Sequence, residues 1–98
     1  MEYYIFNTEQ EVFDKNADIY DMYTTQPRNE RVTLYCYPVF SNGEDFAMEY
    51  DGSYNAKNLL DGLTPETEQE VIDQGYNLEK PIDPSNDVIN KLKNKKNN

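Results

Sequence analysis

The pair Asn42-Gly43 constrains the fold of this chain more than any other feature. It separates two runs rich in β-branched and aromatic residues, residues 31–40 (RVTLYCYPVF) and residues 45–50 (DFAMEY). Asn-Gly between such runs is a strong hairpin signal, because both central residues of a type I′ turn need a positive φ angle. We therefore predict two antiparallel strands joined by a two-residue loop.

A two-residue loop also predicts which side chains share a face of the hairpin, because directly opposed residues point to the same side. The six side chains expected on one apolar face pair as Val39 with Phe46, Tyr37 with Met48, and Tyr35 with Tyr50. The other face is more polar and would carry Phe40. Pro38 has no N–H to donate, so its strand is expected at an edge of the sheet or at a bulge.

The chain opens with residues 3–6 (YYIF), an aromatic and β-branched run that is typical of a strand. Thr8 follows, and Glu11 stands three residues later, which is the spacing of a helix capping box. The apolar side chains that would share one helical face are Val12, Phe13, Ile19, Tyr20 and Tyr23. The acidic side chains mostly off that stripe are Glu9, Glu11, Asp14, Asp18 and Asp21. We expect the helix to end near Tyr23, ahead of Pro27.

These segments predict an α+β fold, a compact β-α-β-β core with a three-stranded antiparallel-rich sheet, one packed helix and one or two short C-terminal helices. Residues 1–80 would form a single domain. A second helix is expected to begin at Thr64-Pro65-Glu66, bury Val71 and Ile72, and end at Gly75. Residues 81–98 would form a proline-containing spacer and a basic C-terminal arm, with a last helix that Ser85 caps.

Charge is distributed unevenly along the 98 residues, whose formal net charge is −10. Residues 1–90 hold all 19 acidic and five of the nine basic side chains, a net charge of −14, and residues 91–98 carry +4. An acidic body repels nucleic acid and anionic membranes, so we expect direct binding to neither. No run approaches the ~18 apolar residues of a membrane span.

The residue types argue against catalysis and against a cofactor or metal. The chain has no histidine and one cysteine, Cys36, so no histidine can activate a nucleophile or complete a zinc site. The sequence contains neither of the glycine-rich phosphate-binding motifs, G-x-x-x-x-G-K-[ST] and G-x-G-x-x-G. The abundant carboxylates fall in predicted turns and on solvated helix faces. Acid–base catalysis needs two carboxyls in a cleft whose surroundings give them different pKa values, and nothing in the sequence indicates such a cleft. We therefore predict a chain that is not an enzyme, with no catalytic, cofactor-binding or metal-binding residues and no small-molecule substrate.

Nine tyrosines in 98 residues have two explanations. They supply core volume in a chain that is poor in Leu and Val, or some of them form a contact surface, where tyrosine is enriched. A sheet covered by one helix would leave its second face exposed, with Phe40 on it. The C-terminal apolar residues would dock on a neighbouring subunit or form an ordinary terminal helix. The predicted partner-binding residues are Phe40, Tyr54, Val88, Ile89 and Leu92.

The acidic body itself has three explanations. It is a solvated surface that keeps the chain soluble, a patch complementary to a basic partner protein, or a mimic of a nucleic-acid backbone that occupies a basic groove. The basic tail argues mildly against mimicry, because a decoy gains nothing from four positive charges at one end.

Residues 3–11 (YYIFNTEQE) resemble the start of small bacteriophage proteins, in which a short aromatic strand leads into an acidic helix and a hairpin and which tend to be encoded among tail and virion genes. The likeness extends in pattern over roughly residues 3–50. It implies a non-enzymatic protein that works by binding, and we expect a small structural or accessory component of a phage particle. Its partners would be virion subunits or copies of itself, inside the host or in the virion, with no signal-directed secretion. The alternative is an acidic, nucleic-acid-mimicking inhibitor of a host defence or nucleic-acid-handling enzyme, of the anti-restriction or anti-CRISPR type.

Overall fold

The computed structural model describes residues 1–21, 35–52 and 56–95, with residues 92–95 as backbone alone. Its strands are β1 (Glu2–Phe6), β2 (Val39–Ser41) and β3 (Phe46–Tyr50), and its helices are α1 (Glu9–Tyr20), a 3-10 helix (Lys57–Leu60), α2 (Glu68–Asp73) and α3 (Asn86–Lys95). The strands form one antiparallel sheet in the order β1-β3-β2. The predicted α+β fold, with α1 packed on a three-stranded sheet and short C-terminal helices, is confirmed.

Helix α1 begins where the sequence predicts. The Glu11 amide donates to the Thr8 hydroxyl oxygen at 3.2 Å, and the Thr8 hydroxyl donates to the Glu11 carboxylate at 2.9 Å. Thr8 therefore satisfies one of the backbone N–H groups that a helix start leaves unpaired. The helix ends at Tyr20, earlier than predicted, and Tyr23 lies outside the described residues.

The hairpin forms with a different register from the predicted one. Val39 lies opposite Met48 and Ser41 opposite Phe46, so the loop has four residues and the predicted pairs are wrong. The side-chain oxygen of Asn42 accepts the amides of Glu44 at 3.0 Å and Asp45 at 2.8 Å, which stabilises the longer loop. The pairing is shifted by two residues, and side chains alternate with a period of two, so the side chains of β2 and β3 keep their predicted faces.

One face of the sheet packs against α1. The buried side chains of this first cluster are Tyr4, Phe6, Val12, Ile19, Tyr37, Val39, Met48, Tyr50, Ala56 and Leu60. Inside it the rings of Tyr37 and Tyr50 meet edge to face, with centroids 5.3 Å apart. Several tyrosines therefore supply core volume, which was the first of the two explanations for the high tyrosine content. Residues 35–38 lie ahead of β2, which is an edge strand, and the Pro38 carbonyl accepts the Glu49 amide at 2.9 Å.

The second face of the sheet is covered, so the prediction that it is exposed is wrong. Phe40 is 3 % exposed and belongs to a second cluster formed by Tyr3, Phe40, Ala47, Val71 and Tyr76. Val71 comes from α2 and Tyr76 from the chain just after it. A layer built from the second half of the chain therefore removes the exposed aromatic surface that the hairpin alone would present.

Helix α2 starts later than predicted because a better cap lies further along the chain. Thr67 and Glu70 form a complete capping box, and Glu66 pairs with Tyr3 of β1 instead of entering the helix. Val71 is buried as predicted, whereas the prediction that Ile72 is buried is wrong, because Ile72 is 46 % exposed. Gly75, at φ +93°, ends the helix as predicted.

The C-terminal segment contacts the body at several points. The Ile82 amide donates to the Val39 carbonyl at 2.7 Å, and the Ser85 hydroxyl donates to the Glu9 carboxylate at 2.6 Å. A third cluster joins α1 to α3 through Phe13, Ala17 and Val88. Residues 82–89 therefore pack on the chain's own core. The predicted boundary at residue 80 stays a prediction. No helix in the described parts of the chain has the length and apolar character needed to cross a membrane.

Candidate functional site

A groove of about 480 Å3 lies between β1, α1 and the turn that follows the 3-10 helix. Its lining side chains, which define what we call the acidic groove, are Ile5, Phe6, Asn7, Glu11, Asp14, Lys15, Asp18, Asp61 and Leu63. They come from three separate segments, so the groove exists only once the chain has folded.

The helical wall of the groove follows from where α1 begins. Its four groove-lining residues are Glu11, Asp14, Lys15 and Asp18. Glu11 precedes Asp14 by three positions and Lys15 by four, and Asp18 follows them by four and three, a spacing that places helical side chains on one side of the helix. None of them is buried, so part of the acidic outer face predicted for α1 forms this wall.

Negative charge dominates the groove, which is lined by four carboxylates and one ammonium group. The ammonium of Lys15 donates to the Leu59 carbonyl at 2.7 Å, so its charge is held beside the 3-10 helix. Asp14 accepts a hydrogen bond from the neutral side chain of Gln10 at 2.8 Å. Because a neutral donor does not cancel a carboxylate's charge, the part of the groove around Asp14 attracts cationic groups.

The floor of the groove includes an unpaired stretch of strand edge. Tyr3 exchanges both backbone hydrogen bonds with Glu66, at 2.9 and 2.7 Å, on the side of β1 that faces away from β3. Backbone groups of an antiparallel strand alternate between its two sides, so Ile5 presents the next outward N–H and C=O. Within the described residues, no backbone group bonds to this pair from the outer side.

A second acidic surface surrounds α2. Its members, which define the α2 acidic surface, are Glu44, Asp45, Glu66, Glu68, Glu70 and Asp73. Three of them, Asp45, Glu66 and Glu44, lie near the buried hydroxyl of Tyr76, which has no hydrogen-bond partner in the described part of the chain. Burial, reinforced by these three carboxylates, raises the pKa of Tyr76 to about 12.

Replacing Tyr76 with phenylalanine is expected to leave stability at neutral pH unchanged or slightly increased, because it removes a buried hydroxyl that has no partner. The folded-state pKa of about 12 exceeds the ordinary 10.0, so the stability linked to this proton is complete below pH 10 and is lost as pH rises towards 12. Urea unfolding across that range should therefore show a shallower loss of stability for Tyr76→Phe than for the unmodified chain. Equal pH dependence of the two chains would contradict the buried, carboxylate-flanked position of this hydroxyl.

The structure describes the side chains of three of the five predicted partner-binding residues, and none of the three is exposed. Phe40 is buried beneath α2, so its predicted exposure is wrong. Val88 is 4 % exposed and packs on α1, and Ile89 is half-buried beside it. Leu92 lies in α3, and Tyr54 lies outside the described residues.

The single cysteine has a structural position. Its Sγ donates to two oxygens of Asn16, the side-chain oxygen at 3.3 Å and the carbonyl at 3.4 Å. Asn16 is 2 % exposed, and its side-chain oxygen also accepts the Tyr37 amide at 2.8 Å. The carboxylates and the thiol of the described residues form no group of three that could hold a metal ion.

Sequence reasoning missed the strand-edge and turn side of the groove. The acidic row on α1 was detectable from its spacing, whereas Ile5, Asp61 and Leu63 carry no local signal of a shared site. Leu63, at 38 % exposed, is one of the few large apolar side chains at the surface of the described residues.

The comparisons with protein-family models, curated proteins and solved structures find no match for this chain.

Proposed function

We propose that this chain is a non-enzymatic protein–protein interaction protein whose acidic surfaces bind a basic partner protein. The observation that carries the proposal is the acidic groove, where four carboxylates surround a floor that includes Ile5 and Phe6. A site that is both charged and partly apolar suits a protein segment better than a free ion, because it offers contacts to both kinds of side chain. Charge complementarity of this kind accelerates association and excludes partners of the wrong sign.

The biological setting we propose is a small structural or accessory component of a phage particle. This setting rests on the resemblance of residues 3–11 to small phage proteins. The partner would then be a virion subunit with a basic surface, met inside the host. The contacts assigned by sequence to Phe40 and Val88 are replaced in this proposal by the acidic groove, because both side chains are buried.

A second candidate function is mimicry of a nucleic-acid backbone in the basic site of a host enzyme. The α2 acidic surface favours it, because Glu68, Glu70 and Asp73 are exposed and lie near the carboxylates of the hairpin loop and Glu66. Such a surface would gain affinity from the same electrostatics that a nuclease uses to bind phosphates.

The experiment that tests the first function is affinity capture with the tagged full chain from phage-infected and uninfected host lysates. We expect virion proteins to be recovered at about 0.05 M salt, to be lost at about 0.5 M salt, and to be unaffected by added DNA or RNA. Salt should matter because the proposed contacts are between charged surfaces.

Two other outcomes have definite meanings. Recovery of a host nuclease or polymerase that added DNA or RNA displaces would overturn the virion proposal in favour of mimicry. Recovery of no protein at low salt from either lysate would contradict both functions, because each requires a basic partner.

A further inference from the structure

We propose that the acidic groove binds an extended segment of the partner in which lysine or arginine alternates with apolar residues, and that this segment adds to β1 as a fourth strand. The inference deepens the proposed function and rests on it. It names the part of the molecule that makes contact and the chemistry of the segment that is bound.

Within the described residues, part of the outer edge of β1 has no strand paired with it. Glu66 covers the edge at Tyr3 through its paired backbone bonds, and no backbone bond joins Ile5 to Thr64 or Pro65, the two residues before Glu66. The outward N–H and C=O of Ile5 are therefore the next positions at which a strand could pair. An unpaired strand edge of this kind is a template for main-chain hydrogen bonds from an extended peptide.

The two sides of that edge differ in chemistry. Phe6 lies on the face that packs against α1, and Ile5 lies on the opposite face with Tyr3. Successive side chains of an added strand would point alternately to these two sides. Residues on the α1 side would meet Glu11 and Asp14, which favour lysine or arginine. Residues on the other side would lie over Ile5, which favours an aliphatic side chain.

The secondary structure of this chain's basic C-terminal segment distinguishes the partner from a second copy of the chain. Four of the chain's nine basic residues fall in residues 91–98, and α3 extends through Lys95, so three of these four, Lys91, Lys93 and Lys95, are held in a helix. A helix cannot exchange strand-type hydrogen bonds with β1, because its backbone groups bond within the helix. A basic segment of another protein is therefore the occupant we assign.

The experiment uses the full chain labelled with 15N and a synthetic peptide of about seven residues in which lysine and valine alternate, with blocked ends. We expect the peptide to shift the backbone amide signals of Ile5, Asn7 and Leu63 at low salt. Two control peptides share its length. One has glutamate in place of lysine, and the other carries N-methyl groups that block alternate backbone N–H donors. Neither control should shift the Ile5 signal.

Variants of the chain test the charge contribution. Asp14→Asn and Asp61→Asn should each weaken peptide binding by about two- to fivefold, because each removes one negative charge from the groove and keeps the side-chain volume. The matched control is Asp73→Asn on α2, which should bind the peptide as well as the unmodified chain. Overlay of the remaining amide signals verifies that each variant is folded.

Four results would overturn the inference, and each leaves the proposed function separately testable. Equal binding of the N-methylated peptide would mean that no strand is added. Shifts confined to residues outside the groove, or no shift at Ile5, would mean that the groove is not the site. A shift of the Ile5 signal on concentrating the protein alone would make a second copy the occupant. Affinity capture that persists in the Asp14→Asn, Asp61→Asn double variant would preserve the proposed function while removing this site from it.

Discussion

Replacing Phe40 with alanine is expected to lower the free energy of unfolding by about 3–5 kcal/mol. Phe40 is 3 % exposed and packs in the cluster that joins β2 and β3 to Val71 and Tyr76. Its truncation would remove the apolar contact and leave a cavity between the sheet and α2 that the surrounding side chains cannot fill completely. A loss of this size is a large part of the stability of a small domain, so urea unfolding followed by circular dichroism should detect it directly.

The control is Ile72→Ala, which changes the residue next to Val71 on α2. Ile72 is 46 % exposed, and its truncation should alter the free energy of unfolding by no more than about 0.5 kcal/mol. The sequence pattern predicts the reverse order for this pair, with Ile72 buried and Phe40 exposed at an interface. A stable Phe40→Ala variant that loses partner capture would restore the interface assignment and contradict the covered second face.

Replacing Asn16 with alanine is expected to cost about 1–3 kcal/mol, more than an average substitution of an asparagine by alanine. The side-chain oxygen of Asn16 accepts the buried amide of Tyr37 at 2.8 Å and the thiol of Cys36 at 3.3 Å. Removing this acceptor takes away two of the hydrogen bonds that hold the segment ahead of β2 against α1. Tyr37 packs on Tyr50, so the loss should also loosen the first cluster, which near-ultraviolet circular dichroism of the tyrosines would detect.

Asn58→Ala provides the matched control for this substitution. Asn58 lies exposed in the 3-10 helix, and its loss should change stability by no more than about 0.5 kcal/mol. Equal stability of the Asn16→Ala and Asn58→Ala variants would contradict the structural role of the Asn16 side chain.

The hairpin shows how far local sequence determines a sheet. The period of two residues correctly assigned Val39 and Met48 to the α1 side of the sheet and Phe40 to the other side. The exact pairs were wrong because the side chain of Asn42 stabilises a four-residue loop and also donates to the Gln74 carbonyl at 2.9 Å. That last bond joins residues 32 positions apart in the chain, so no inspection of the turn alone could include it.

The second half of the chain shows the limit of the same reasoning. Thr64-Pro65-Glu66 is a good helix start by local criteria, but Glu66 forms a bridge with Tyr3, and the capping box at Thr67 begins the helix instead. The competing contact is with β1, at the opposite end of the sequence. Its effect is to place α2 over Phe40 and to define where the acidic groove begins.

The sequence alone determined the α+β class, the cap of α1, the hairpin and the faces of the sheet on which the side chains of β2 and β3 lie, because these depend on contacts between near neighbours. Tertiary structure decided the pairing register, the covering of the second face and the packing of Val88 on Phe13 and Ala17. It also brought Ile5, Asp61 and the acidic row of α1 around one groove. Each of these depends on residues that are distant in the chain, and local patterns contain no information about which distant surface will pack against them.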